Sequence, residues 1–203
     1  MEQLYLIGAG GQARSVISLL KACNIKVVGI YDESFNKNNI EIINSVKLIG
    51  DIESYNYTGK IVLAVGDNIK RRELFLLYRK NVLKKTICHP TSFIDNTVIL
   101  GVSNLFFANT FSNSNVIFGD NNIINTGAII EHEVVIGSHN HISVGAIICG
   151  RATLGSNCFI GAGAVVVDKI EICSDVTIGA NAVVVKSIKE PGVYVGNPVK
   201  KIA

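Results

Sequence analysis

The groups best able to do chemistry in this 203-residue chain are four histidines and one glycine-rich loop. His132 stands between Glu131 and Glu133. Imidazole titrates near neutral pH, so a neutral, proton-accepting form is available. A carboxylate on the other ring nitrogen would fix the tautomer and raise the basicity. His132 is therefore the best general base in the chain. His139 and His141 have a spacing that could bind a metal, but no third ligand is evident, so no metal is expected. His89 precedes Pro90 and is expected to be structural. Gly8-Ala9-Gly10-Gly11-Gln12-Ala13 fits the G-x-G-x-x-G/A pattern. Glycines there let backbone approach a phosphate or ribose at a helix N-terminus. Asp32, at the end of the next apolar run, is placed to bond a ribose hydroxyl.

Two kinds of element must position these groups. Over the first 85 or so residues, apolar runs at Leu4–Ile7, Lys26–Tyr31 and Lys60–Val65 alternate with helical spacing over Ala13–Cys23 and Lys70–Lys80. Strand, glycine turn, helix, strand is the pattern of a parallel βαβ sheet. From about residue 94 the period becomes six. Stepping by six from Ile94 to Val184 gives sixteen positions, of which only Ser112 is polar. Two residues before each there is usually a small or narrow residue, as at Thr110, Val116, Asn122, Ala128, Val134, Ala146, Ala152, Cys158 and Ala164. Glycine follows the aliphatic at 101, 119, 137, 155, 161 and 179, where it is expected to allow a tight turn. A hexapeptide repeat means a solenoid of short strands, here of about five coils. His132 occupies neither inward slot. Taken alone, the glycine loop suggests NAD. Fewer than 95 residues precede the repeat, however, about half a full dinucleotide fold.

Composition removes other classes. Net charge is +3 with no Lys/Arg block, so nucleic acid is not expected. Charged residues are 17%, below the usual share of about 25%. A surface so poorly charged suggests that some of it is covered, by a partner subunit for example. The five cysteines, Cys23, Cys88, Cys149, Cys158 and Cys173, form no CxxC pair, which fits a reducing cytoplasm. No apolar stretch is long enough to span a bilayer and no signal-peptide pattern is present, so neither a membrane span nor export is expected.

GAGGQAR near residue 8, YDES near 31, AVGDN near 64, HPTSFI near 89 and NTGAIIEHEVVIGSHNHISVGA from 125 occur in that order. Together they resemble the nucleotide-4-amino-sugar N-acetyltransferases of the bacillosamine and perosamine pathways, and the related sialic acid O-acetyltransferase-like proteins. Pro191–Lys200 is similar to that family's exit from its helix. The resemblance implies an α/β Rossmann-like βαβ domain at 1–88 that binds the nucleotide-sugar. A left-handed parallel β-helix, the hexapeptide-repeat solenoid, would fill 89–203 with a C-terminal tail. It implies a homotrimer with acetyl-CoA between subunits, and a mass three times the 21.8 kDa of one chain.

The same resemblance assigns His132 as base with Glu133 as its carboxylate, and His141, Ala162 and Ala180 to acetyl-CoA. Gly10, Gly11, Gln12, Asp32, Glu33, Gly66 and Asn125 match substrate contacts. Gln12 replaces a histidine frequent in the family's loop, and Glu33 a second aspartate. For Asn125 the alternative is a corner asparagine bonding nearby backbone. The expected activity is acetyl transfer to the C4 amine of a UDP-, dTDP- or GDP-linked 4-amino-4,6-dideoxy sugar, in bacterial surface-glycan synthesis. The alternatives are O-acetylation of sialic acid or a related sugar, a non-enzymatic scaffold, and an NAD-dependent oxidoreductase.

Overall fold

The structure is a computed structural model and describes residues 3–56 and 58–203. The chain divides into two units, Met1–Lys84 and Lys85–Ala203. The division falls slightly ahead of the expected boundary at 88. Ile87–Cys88 already pairs in parallel with Leu105–Phe106 and so belongs to the repeat.

The first unit runs β1 (Leu4–Ile7), α1 (Gly11–Ala22), β2 (Gly29–Tyr31), β3 (Ile42–Ile43), β4 (Val46–Gly50), β5 (Lys60–Leu63) and α2 (Asn68–Leu77). The sheet order is β3-β4-β2-β1-β5, parallel except for the β3–β4 hairpin. That hairpin lies where the sequence reading assigned no element. Its turn is Asn44-Ser45, both at positive φ. α1 buries Ala13, Val16, Ile17, Leu19 and Leu20 on one face. It stops in a Schellman motif: Asn24 at φ 56° donates to Lys21 O, and Ile25 N to Leu20 O. α2 is capped by Asp67, whose Oδ1 accepts from Lys70 N at 2.7 Å. Tyr5, Tyr31, Tyr55 and Tyr78 form a chain of edge-to-face rings on one side of the sheet.

The second unit is a parallel β-helix with three sheets of short strands. Each strand pairs with the one three hexads further on, as in Phe111↔Ile129↔Ile147 and Ile123↔His141↔Phe159. Three hexads therefore make one coil. Inward positions from Phe106 to Val184 are buried, each large aliphatic contributing about 1.5–3 kcal/mol of apolar burial. Leu100 is 37% exposed and Ile94 half-buried, because no full coil lies beneath theirs. Ser112 is fully buried and its Oγ bonds nothing. It shares a coil with Phe106 and Phe118, whose rings meet edge-on at 5.1 Å and fill most of that layer.

The corners have their own period. From Ser103 to Asn181 every sixth residue has φ between 54° and 69°. Asparagine and glycine predominate there because they tolerate the left-handed region. The glycines at 101, 119, 137, 155, 161 and 179 do a different job from the expected turn. None has positive φ. Instead the coils approach so closely that a Cβ on Gly137 would lie 2.7 Å from Gly155 O. Buried asparagines tie successive coils. Asn104 Oδ1 accepts from Asn122 N, Asn122 Oδ1 from Asn140 N, and Asn140 Oδ1 from Cys158 N. The tail adds Gly192–Val195 in parallel to Val176–Ile178, then turns back through Lys200–Lys201.

Candidate active site

His132 follows the strand Ile129–Ile130 and sits on a corner, half-buried. Its Nδ1 lies 3.0 Å from Glu133 Oε2. Glu133 occupies the left-handed corner slot at φ 60°. Glu131 is engaged elsewhere: its Oε2 accepts from Asn113 Nδ2 at 2.8 Å, one coil earlier. Of the two flanking carboxylates, only Glu133 meets the ring. A carboxylate on Nδ1 keeps the proton there and leaves Nε2 as the basic nitrogen.

Nε2 points along the corner toward Gly150, one coil on. A Cβ on Gly150 would stand 2.7 Å from His132 Nε2 and Cε1. Gly150 thus borders the candidate base, a placement that the sequence reading did not point to. The signal was present, because position 150 lies three hexads, one full coil, after position 132. Beyond it Arg151 pairs with Asp168 at 3.2 Å. Cys149 shares this corner, and burial, then Glu131 and Asp168, push its thiol above the ordinary value. Burial likewise pushes Cys158 up to about 11 while its Sγ donates to Cys173 O. Neither thiol is prepared to act as a nucleophile.

A second pair lies on another part of the helix. His141 is buried in the strand His141–Ile142, with Asn125 Nδ2 3.2 Å from its Nε2 and the Phe159 ring edge-on at 5.2 Å. Asn125 Oδ1 accepts from Thr126 N, so the asparagine bonds backbone and histidine together. Ala162 and Ala180 are exposed on the corner that follows the same sheet, and Asn181 N donates to Ala162 O. His132 occupies a different corner, between the sheet of Ile129–Ile130 and that of Val135–Ile136. The structure therefore joins His132 to Glu133, and Asn125 to His141, as two separate pairs. His139 bonds Asn121 on the third corner, and His89 bonds Thr91. No group of three metal-ligating side chains occurs among the described residues.

The first unit holds a cavity of about 370 Å³ lined by Gly8, Gly10, Gly11, Gln12, Asp32 and Gly66, among others. Gly8 must be glycine: it has φ 110°, and a Cβ would lie 2.8 Å from Ala64 O. Gly10 and Gly11 face open space. Asp32 pins the loop, its Oδ2 accepting from Ala9 N and its Oδ1 from Ser34 N and Oγ. Gln12 Nε2 is buried in the wall without an acceptor. Glu33 faces a neighbouring cavity instead, paired with Lys70 at 2.7 Å.

Behind this wall lies Arg71, another residue the sequence reading passed over. It is 1% exposed and donates to Val65 O, Gly66 O and Asn68 Oδ1. Burial lowers its pKa to about 10, so it stays charged at neutral pH.

Comparison with known proteins bears on the fold and the domain content. The family described as PglD N-terminal domain matches residues 3–76, and bacterial transferase hexapeptide (six repeats) matches 151–186. By fold and domain content the chain is a hexapeptide-repeat acetyltransferase. The acetyltransferase domain of PglB from Neisseria gonorrhoeae is 27% identical, with a TM-score of 0.92 and full coverage of both chains. PerB from Caulobacter crescentus, solved with CoA and GDP-perosamine, is 28% identical at a TM-score of 0.91, covering 100% of this chain and 98% of that one. WeeI from Acinetobacter baumannii shares the fold, with 21% identity, a TM-score of 0.88 and full coverage of both chains. Among curated proteins no sequence matches. No helix among the described residues of this acetyltransferase is long and apolar enough to cross a membrane.

Proposed function

We propose that this acetyltransferase moves the acetyl group of acetyl-CoA to the amine of a nucleotide-linked 4-amino sugar. The observation that carries the reading is the His132–Glu133 pair, with Nε2 open beside Gly150. The neutral amine attacks the thioester carbonyl. His132 Nε2 takes the proton that the nitrogen sheds, and Glu133 steadies the imidazolium. The tetrahedral adduct then collapses, the C–S bond breaks, and the imidazolium returns the proton to the departing thiolate. The glycine-loop cavity takes the nucleotide, with Gly10 and Gly11 open to its phosphates. The small, exposed Ala162 and Ala180 leave room for the cofactor's arm along their corner. Asn125 and His141 complete the site from a neighbouring copy of the chain in a homotrimer.

The test is thiol release from acetyl-CoA against UDP-, dTDP- and GDP-linked 4-amino sugars. Turnover with one of them, reduced roughly 10²- to 10⁴-fold in kcat by His132→Ala with modest change in KM, is the expected result. Protein that binds acetyl-CoA yet acetylates only hydroxyl acceptors would refute amine transfer.

A further inference from the structure

The first unit holds a second cavity, about 380 Å³, that the reaction above leaves unused. It adjoins the glycine-loop cavity along two short segments. Asp32 lines the first cavity and Glu33 the second; Gly66 lines the first and Lys70 the second. Both cavities open beyond the carboxyl ends of parallel strands, where ligands of such sheets lie. The second has an apolar wall of Ile52, Leu74, Leu77 and Tyr78 and a polar rim of Glu33, Asp51, Glu53 and Lys70. Lys70 Nζ donates to Glu33 Oε1 at 2.7 Å, which leaves Oε2 open. An apolar slot with a few convergent polar groups, next to a phosphate-binding loop, suits a nucleobase.

We propose that this cavity is the base pocket of the nucleotide-sugar site and that the Glu33–Lys70 pair selects guanine. This rests on the glycine-loop cavity being the nucleotide site. Guanine presents two adjacent N–H donors, at N1 and N2, beside the O6 acceptor. A carboxylate accepts two parallel N–H bonds well. An ammonium has only donors to offer and meets O6. Uracil and thymine present one N–H between two carbonyl oxygens, so a carboxylate there would face an acceptor. Adenine sets its amine beside an acceptor nitrogen and fails in the same way. Discrimination then comes from repulsion of the wrong base as much as from attraction of the right one.

Calorimetric titration of the full chain with GDP, IDP, UDP and dTDP tests this. GDP is expected to bind about tenfold or more tightly than UDP and dTDP, and about tenfold more tightly than IDP, which lacks the 2-amino donor. Glu33→Gln, at an exposed position, is expected to bring GDP and UDP within about threefold of one another. UDP or dTDP binding as tightly as GDP would overturn guanine selection while leaving the nucleotide site standing. So would an unchanged preference in Glu33→Gln, or IDP equal to GDP. Binding of none of the four would overturn the nucleotide site itself, and the base pocket with it.

Discussion

At the scale of single residues, the candidate site depends on what is missing as much as on what is present. His132 Nε2 has room only because position 150 lacks a Cβ. Gly150 has no positive φ, so alanine is compatible with its backbone. Gly150→Ala should therefore fold with an apparent melting temperature close to wild type. Its methyl would occupy space 2.7 Å from Nε2 and turn the imidazole aside. The expected loss is at least about tenfold in kcat, since general-base catalysis is worth roughly 10²–10⁴ and depends on geometry. Steady-state kinetics beside a thermal melt separates the two effects. Wild-type kcat in a well-folded Gly150→Ala would show that the imidazole needs no such space. Cys149 on the same corner offers no substitute, since burial pushes its thiol above the ordinary value and keeps it protonated.

At the scale of elements, the repeat was legible because solenoid cores demand one inward aliphatic in every hexad. The corners were less so. Their left-handed slot, recurring once per hexad from Ser103 to Asn181, holds Glu133, His139, Arg151 and Lys169 as well as asparagine and glycine, which blurs the pattern. The glycines at 119 and 137 stand out in the sequence while their cause does not, because close approach between coils leaves no local signature. The hairpin at 42–50 escaped because β3 is so short, Ile42–Ile43 alone. In the site, Glu133 and Gly150 differ in the same way. One is adjacent in sequence to His132, while the other meets it only through the coil. Ser112 yields a prediction at this scale. Its buried hydroxyl lacks a partner, so Ser112→Ala should stabilise the helix by about 1 kcal/mol, and Ser112→Leu should overpack the layer and cost about 1–3 kcal/mol. Urea unfolding measures both, and a destabilised Ser112→Ala would mean that the hydroxyl is bonded in solution.

At the scale of the whole molecule, the β-helix leaves apolar side chains turned outward. Phe93 stacks on Phe111 at 5.1 Å on one sheet. On the next, Ile99, Ile117 and Val135 stand in a row at 61%, 41% and 39% exposed. Aligned apolar rows on a chain with only 17% charged residues point to burial against another subunit. A threefold assembly would also answer the separation of the two pairs in the site. His132–Glu133 and Asn125–His141 lie on different parts of one helix, and a neighbouring copy can bring one to the other. Light scattering is expected to give a mass three times the 21.8 kDa of one chain. Ile117→Glu, placing a charge in the middle of the exposed row, should shift that mass toward a single chain and abolish acetyl transfer. It should leave nucleotide binding by the first unit intact, because Ile117 belongs to the second. A wild-type chain that is monomeric and fully active would sink the shared site, and both pairs would then have to act within one copy.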